Sequence, residues 1–230
     1  MQDDYRNVAY TKEYLEYRKS CEWLFELEVS DVEKQELSEK FLLEKYAYEN
    51  EKINPETGYL TRYSAIRALL KNSVGELIKE IKSIDGHFCA QLINHSGGGQ
   101  YLIYNIDLYG YSVMDMSTYE AVDYIPAHSF AGGETFIWCG KYYCAVNNLL
   151  VVDGCYWACP WELEFYDFSQ PMQLPLPKYS DSYQLSENTD VCTDDDITFA
   201  GFTQEGACLV KYSDEQNQPR QKIIPLAQLK

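Results

Sequence analysis

Short apolar β-forming runs, each closed by Gly, Asn or an Asp-Ser turn, fill the chain from Ile84 onward, and they recur. Val113-Met114-Asp115-Met116-Ser117 is echoed by Phe165-Tyr166-Asp167-Phe168-Ser169, with Asp115 and Asp167 52 residues apart. Tyr, Val, Ile and Phe favour a pleated, half-buried backbone, and Gly and Asn supply its turns. Strands are expected at 88–93, 101–106, 111–116 and 121–125. A second set is expected at 135–139, 142–146, 149–152 and 161–168, with Asn147-Asn148 as a turn. A third, degenerate unit runs from Ile197 to Leu226 around Gly206. Pro171, Pro175 and Pro177 mark an extended connector. The acidic stretch from Leu185 to Asp196 reads as a surface loop.

The first third reads differently. Ser30-Asp31-Val32-Glu33 fits a capping box, and Val32, Leu37, Phe41, Leu42 and Tyr46 follow at roughly helical spacing. A helix is expected from about Asp31 to Asn50, stopped by Asn54-Pro55-Glu56-Thr57-Gly58. A second helical pattern joins Ile66, Leu69, Leu70, Val74, Leu77, Ile78 and Ile81, with Ser73 and Glu76 as a further capping box and Gly75 counting against it. Tyr5 to Glu28 favours a helix weakly. The expected fold class is therefore α+β, with helices over 1–83 packed on an antiparallel β-meander over 84–230, together one compact domain.

Repeated β units of about 40–50 residues point to propeller blades or related meanders. The 84–171 segment, extended to 226 by the third unit, resembles the generic four-stranded blade. It carries no Trp-Asp dipeptide and no Gly-His signature. Two or three units fall short of a closed propeller, so the resemblance implies an open meander covered by the helices. The Gly154–Pro160 tract also resembles one in bacterial proteins of unknown function, which implies no activity.

Charge narrows the partners. The chain has 230 residues and a net charge of −17. Residues 1–83 carry 13 bases and 17 acids, residues 84–171 carry 1 and 10, and residues 172–230 carry 5 and 9, giving −4, −9 and −4. Lys141 is the one base in the middle segment. Nucleic acid and anionic membranes need clustered Lys and Arg and are excluded as expected partners. Met1–Tyr10 is polar and lacks the apolar core of a signal peptide, and no apolar run approaches the ~20 residues that cross a bilayer, so a cytoplasmic protein is expected. Its eight cysteines then read as free, buried thiols rather than a disulfide framework.

No constellation names a chemistry. Cys155 and Cys159, with Cys139 and Cys144, lack zinc-ribbon spacing and read as packers beside Trp157 and Trp161. His95-Ser96 beside Gly97-Gly98-Gly99 has no nucleophile elbow, and the glycines lack the Lys-Ser or Lys-Thr of a phosphate loop. Asp194-Asp195-Asp196 lacks the spaced oxygens of a calcium loop. No catalytic residue, metal or cofactor is expected. Glu162 and Glu164 share one face of a strand by its period of two and read first as its solvent face. With Tyr109, Tyr111, Asp153, Trp157 and Trp161 they form the expected binding residues. The leading expectation is a non-enzymatic acidic protein that binds a basic protein partner, most concretely an immunity- or antitoxin-type inhibitor of a cationic toxin. The alternative is a small enzyme or ligand-binding protein for a cationic or sugar-like molecule, using Glu162 and Glu164. A deep pocket would favour the alternative, and a flat acidic face the inhibitor.

Overall fold

The computed structural model describes residues 4–53, 58–157, 159–189, 191, 196–214 and 216–230. Over these residues the chain forms four consecutive antiparallel meanders, each with its strands side by side in chain order. Sheet I holds β1 (Val29–Ser38), β2 (Phe41–Ile53), β3 (Leu60–Asn72) and β4 (Leu77–Ile84). Sheet II holds β5 (Ala90–Asn94), β6 (Gln100–Asn105), β7 (Tyr111–Asp115) and β8 (Ala121–Tyr124). Sheet III holds β9 (Ile137–Cys144), β10 (Leu149–Cys155), β11 (Glu162–Asp167) and β12 (Lys178–Asp181). Sheet IV holds β13 (Thr198–Phe202), β14 (Cys208–Ser213) and β15 (Pro219–Ile224). Helices are short: α1 (Lys12–Ser20), α2 (Ala127–Phe130), α3 (Ser182–Asn188) and two 3-10 turns. The architecture is mostly antiparallel sheet, and none of these sheets closes into a barrel.

The sheets stack face to face in sequence order. Leu43, Leu70 and Ile81 of sheet I meet Leu102, Tyr104 and Met114 of sheet II. The other face of sheet II, through Ile103, Tyr111 and Val113, meets Trp138, Leu150, Val152 and Tyr166 of sheet III. The far face of sheet III, through Val151, Leu163 and Phe165, meets Val210 and Ile224 of sheet IV. Sheets II and III are thus buried on both faces, which is why their strands read as near-continuous apolar runs.

The helical reading of 1–83 is corrected by sheet I. β2 and β3 pair through thirteen consecutive positions, Phe41↔Asn72 to Ile53↔Leu60. Their two faces bury different sets: Phe41, Leu43, Ala68 and Leu70 face sheet II, while Tyr48 and Ala65 meet Leu24 of the first 3-10 turn. Two overlaid period-two patterns produce spacings of three and four that mimic a helix. The presumed cap Ser30 instead donates its hydroxyl across to the Ala47 carbonyl on β2 at 3.1 Å. Gly75, at φ 85, turns β3 into β4, and the Gly75 amide donates to the Asn72 carbonyl at 3.0 Å. A left-handed turn position of this kind suits Gly. The weak helix of Tyr5–Glu28 is present in part as α1, where the Thr11 hydroxyl accepts from the Tyr14 amide at 3.3 Å. Of the stop expected at Asn54-Pro55-Glu56-Thr57-Gly58, residues 54–57 lie outside the described residues, and Gly58 has φ 70.

From sheet II on, the expected strands are close to those formed, with three differences. Residues 135–139 and 142–146 were expected as two strands and run as one, β9, with an irregularity opposite Asp153 and Gly154. β12 follows the proline connector and pairs with β11. The loop expected from Leu185 begins as α3, where the Asp181 carboxylate caps the Gln184 amide at 2.8 Å and Leu185 is buried. Asp194 and Asp195 lie outside the described residues, and Asp196 accepts from the Trp161 amide at 2.7 Å. The 52-residue echo sits at equivalent places, the ends of the third strands β7 and β11. There Asp115 accepts from the Ser117 amide at 2.7 Å and Asp167 from the Ser169 amide at 2.9 Å.

Candidate ligand pocket

A cavity of about 240 Å³ opens between sheets II and III. Sheet II supplies Tyr111 from β7 and Tyr124 from β8; sheet III supplies Trp138 from β9, Glu164 and Tyr166 from β11, and Lys178 from β12. Trp138 stacks on Tyr111 with ring centres 4.0 Å apart and planes 13° from parallel. Tyr166 tilts against Trp138 at 4.8 Å, and Tyr124 against Tyr111 at 5.3 Å. The rings are fixed at their polar ends. The Tyr111 hydroxyl accepts from the Leu176 amide at 2.9 Å, and the Tyr124 hydroxyl donates to the Tyr5 carbonyl at 2.9 Å. That second bond holds the N-terminal segment beside the cavity, whose lining includes Tyr5.

The charged part of the wall is one pair, a buried Glu164 and a Lys178 that remains partly exposed. Glu164 is 4% exposed; it accepts from Lys178 Nζ at 2.9 Å and from the Tyr166 hydroxyl. Lys178 also reaches Asp181 at 3.0 Å. Burial pushes the Glu164 carboxyl up, against the pull of Lys178 and Tyr166. Burial opposes the charge on Lys178 too, but the carboxylates of Glu164 and Asp181 overcome it and hold Lys178 above its ordinary value. A second polar group in the wall has no such support. Thr135 lines the cavity, and its buried Oγ1 has no hydrogen-bond partner.

The expected binding residues separate. Tyr109, Tyr111 and Glu164 line the cavity. Trp157 stands beside Tyr109, its indole N–H donating to the Tyr109 hydroxyl at 2.9 Å, while its own amide bonds Glu134. Asp153 is elsewhere, holding the Gly140 amide and the Tyr142 hydroxyl, the latter at 2.8 Å. Trp161 turns to Asp196, and Glu162 to the Ser182 hydroxyl at 3.4 Å. The expectation that Glu164 lies on a solvent face is overturned, since that face of β11 packs toward sheet II. Trp138, Tyr166, Thr135 and Lys178 were not among the expected residues. Tyr166 was legible, two residues beyond Glu164 on the same face; Lys178 arrives only through its pairing with Tyr166 across β11 and β12.

Lys141 is also inside, 3% exposed. It donates to Asn105 Oδ1 at 2.9 Å and to the Cys89 carbonyl at 3.2 Å, latching β9 of sheet III to sheet II, and burial pushes its pKa below the ordinary value. Several acids of 84–171 are likewise tied into the fold. Asp107 accepts from the Tyr14 hydroxyl at 2.8 Å and the Tyr109 amide at 3.0 Å, and Asp123 from the Ser112 hydroxyl. With Asp115, Asp153 and Asp167 at turns or bulges, they do not gather on one surface. His95 stacks on Tyr143 and its Nε2 lies 3.0 Å from the Phe168 carbonyl, while Ser96 bonds Asn148 at 2.6 Å. Among the described residues no three His, Cys, Asp or Glu side chains are grouped to hold a metal ion, and no helix is long and apolar enough to cross a membrane. Compared with known proteins, the chain matches no family model and no curated protein sequence.

Proposed function

We propose that this protein binds a compact small molecule in the cavity between sheets II and III, without catalysis. The observation that carries the reading is the aromatic cavity itself: packed rings beside a part-buried Glu164–Lys178 pair, with the unpartnered Thr135 hydroxyl in the same wall. Apolar walls with a few fixed polar groups are what small-ligand sites share. Among the described residues no nucleophile and base pair up in the cavity, and Glu164 is already held by a lysine and a tyrosine, which leaves it poorly placed to shuttle protons. The inhibitor reading draws less support, because half of the acids that motivated it, Asp107, Asp115, Asp123, Asp153 and Asp167, are engaged in turns and interior contacts. The four stacked meanders are compatible with blade-like units in an open arrangement, and a cytoplasmic setting suits the free thiols.

A thermal-shift screen of compact fragments tests the reading. Hits are expected to raise the melting temperature of the wild type and to lose their effect in Thr135→Met, which fills part of the cavity, and in Tyr156→Ala, which removes one ring from its lining. A screen with no hits, or hits that keep their effect in both folded variants, overturns it.

A further inference from the structure

Resting on the pocket reading, we infer that the ligand is an organic cation whose alkylated ammonium head sits among the aromatic rings of the cavity. Three observations support this. The cavity lining is dominated by aromatic side chains, with Tyr111, Tyr124, Trp138 and Tyr166 contributed by both sheets. The face of an aromatic ring is electron-rich and attracts a cation, most strongly where water is excluded. A neutral apolar ligand would gain from the same burial, so the rings alone do not decide the charge.

The charges around the cavity decide it. Glu164 and Asp181 flank Lys178 at 2.9 and 3.0 Å, so one ammonium faces two carboxylates. Glu162 lies on the same strand face and is held by Ser182, the residue after Asp181. The carboxyl of Glu162 is pushed up by burial and by the nearby Asp181 and Glu164 carboxylates, so the three acids sense one another. Glu134, next to Thr135 in the chain, adds a fourth through its bond to the Trp157 amide beside Tyr109. On the N-terminal segment, Arg6 is neutralised by Asp4 at 2.6 Å and offers no net positive charge. The surroundings therefore carry more negative than positive charge, which a cation relieves and an anion aggravates.

Size limits the head group. About 240 Å³ suits a compact trialkylammonium. The donor-acceptor capacity of the Thr135 hydroxyl suits a short polar tail, such as a hydroxyl or an ester carbonyl.

Choline and its neutral carbon isostere, 3,3-dimethylbutan-1-ol, share shape and hydroxyl and differ in charge. Isothermal titration of the full chain with each is the test. Choline is expected to bind at least tenfold tighter than the isostere. Glu162→Gln, which alters only the surroundings, is expected to weaken choline about threefold and leave the isostere unchanged. Equal binding of the two compounds, or choline silent while neutral fragments still act through Thr135, overturns the charge inference and leaves the pocket standing. If choline, isostere and every fragment are silent on the folded chain, the pocket reading fails with it.

Discussion

Replacing Thr135 with Val exchanges one hydroxyl for a methyl of nearly the same shape, on a residue that is 5% exposed. Both side chains are β-branched, so the rotamer preference is kept. The hydroxyl oxygen is buried with no partner, and a buried hydroxyl without a hydrogen bond costs about 1–3 kcal/mol in protein mutational data. The methyl carries no such cost. Taking the low end, Thr135→Val is expected to stabilise the free protein by about 1 kcal/mol, or about 2–4 °C in melting temperature for a chain of this length. Ligand affinity moves the other way. A ligand that bonds the hydroxyl loses that bond, about 0.5–1.5 kcal/mol, so affinity falls several-fold while stability rises. Urea denaturation with and without ligand reads both quantities. A variant that is less stable than the wild type by 1 kcal/mol or more would refute the reasoning, because it would show the hydroxyl already partnered inside the fold.

Lys141→Met removes a buried ammonium that is held by the Asn105 amide oxygen and the Cys89 carbonyl. Those acceptors keep other donors, the Cys89 amide at 3.3 Å and the Asn105 amide at 3.4 Å. The variant is expected to match the wild type at pH 7 or exceed it by about 1 kcal/mol. The folded pKa of Lys141 lies below its ordinary 10.5. Between the two values the unfolded chain holds more protons, so the wild type gains stability as pH rises toward 10.5 and the penalty is full below the folded pKa. The advantage of Lys141→Met should therefore shrink over that interval in denaturation at stepped pH; a constant or growing difference contradicts the burial. Gly154→Ala places a Cβ against the Ile137 carbonyl on the neighbouring strand β9, a backbone clash expected to cost about 3 kcal/mol, and a loss below 1 kcal/mol by urea denaturation would show the β9–β10 pairing to be looser than described.

Sheets II to IV were legible because their signals are local. Tyr- and Val-rich runs, the Asn147-Asn148 and Gly206 turns and the two Asp-x-Ser closures each sit within a few residues. Sheet I was not. Its outermost strand, VSDVEKQELS, is made of residues that favour helices as much as strands and is largely exposed. Its long hairpin buries different residues on its two faces, so alternation is masked. Only the cross-strand pairing decides between helix and sheet, and that pairing is non-local.

The same divide runs through the pocket. Tyr109, Tyr111 and Glu164 could be picked out by residue type in an aromatic, base-poor segment, and they do line the cavity. Thr135 and Lys178 could not, because what matters about them is a missing partner and a register. The charge count does not show where its members sit. Lys141 is an interior latch, and several of the acids shape turns. Negative charge becomes informative only around Lys178, where geometry collects it.

The most direct measurement is methyl NMR of the full chain during titration with the fragment that gives the largest thermal shift. If the cavity is the binding site, the methyl resonances of Thr135 and Leu176, both in its wall, move first and saturably, while those of Val210 and Ile224, buried in the core between sheets III and IV, stay in place. Saturable shifts elsewhere with Thr135 and Leu176 unmoved would contradict the account.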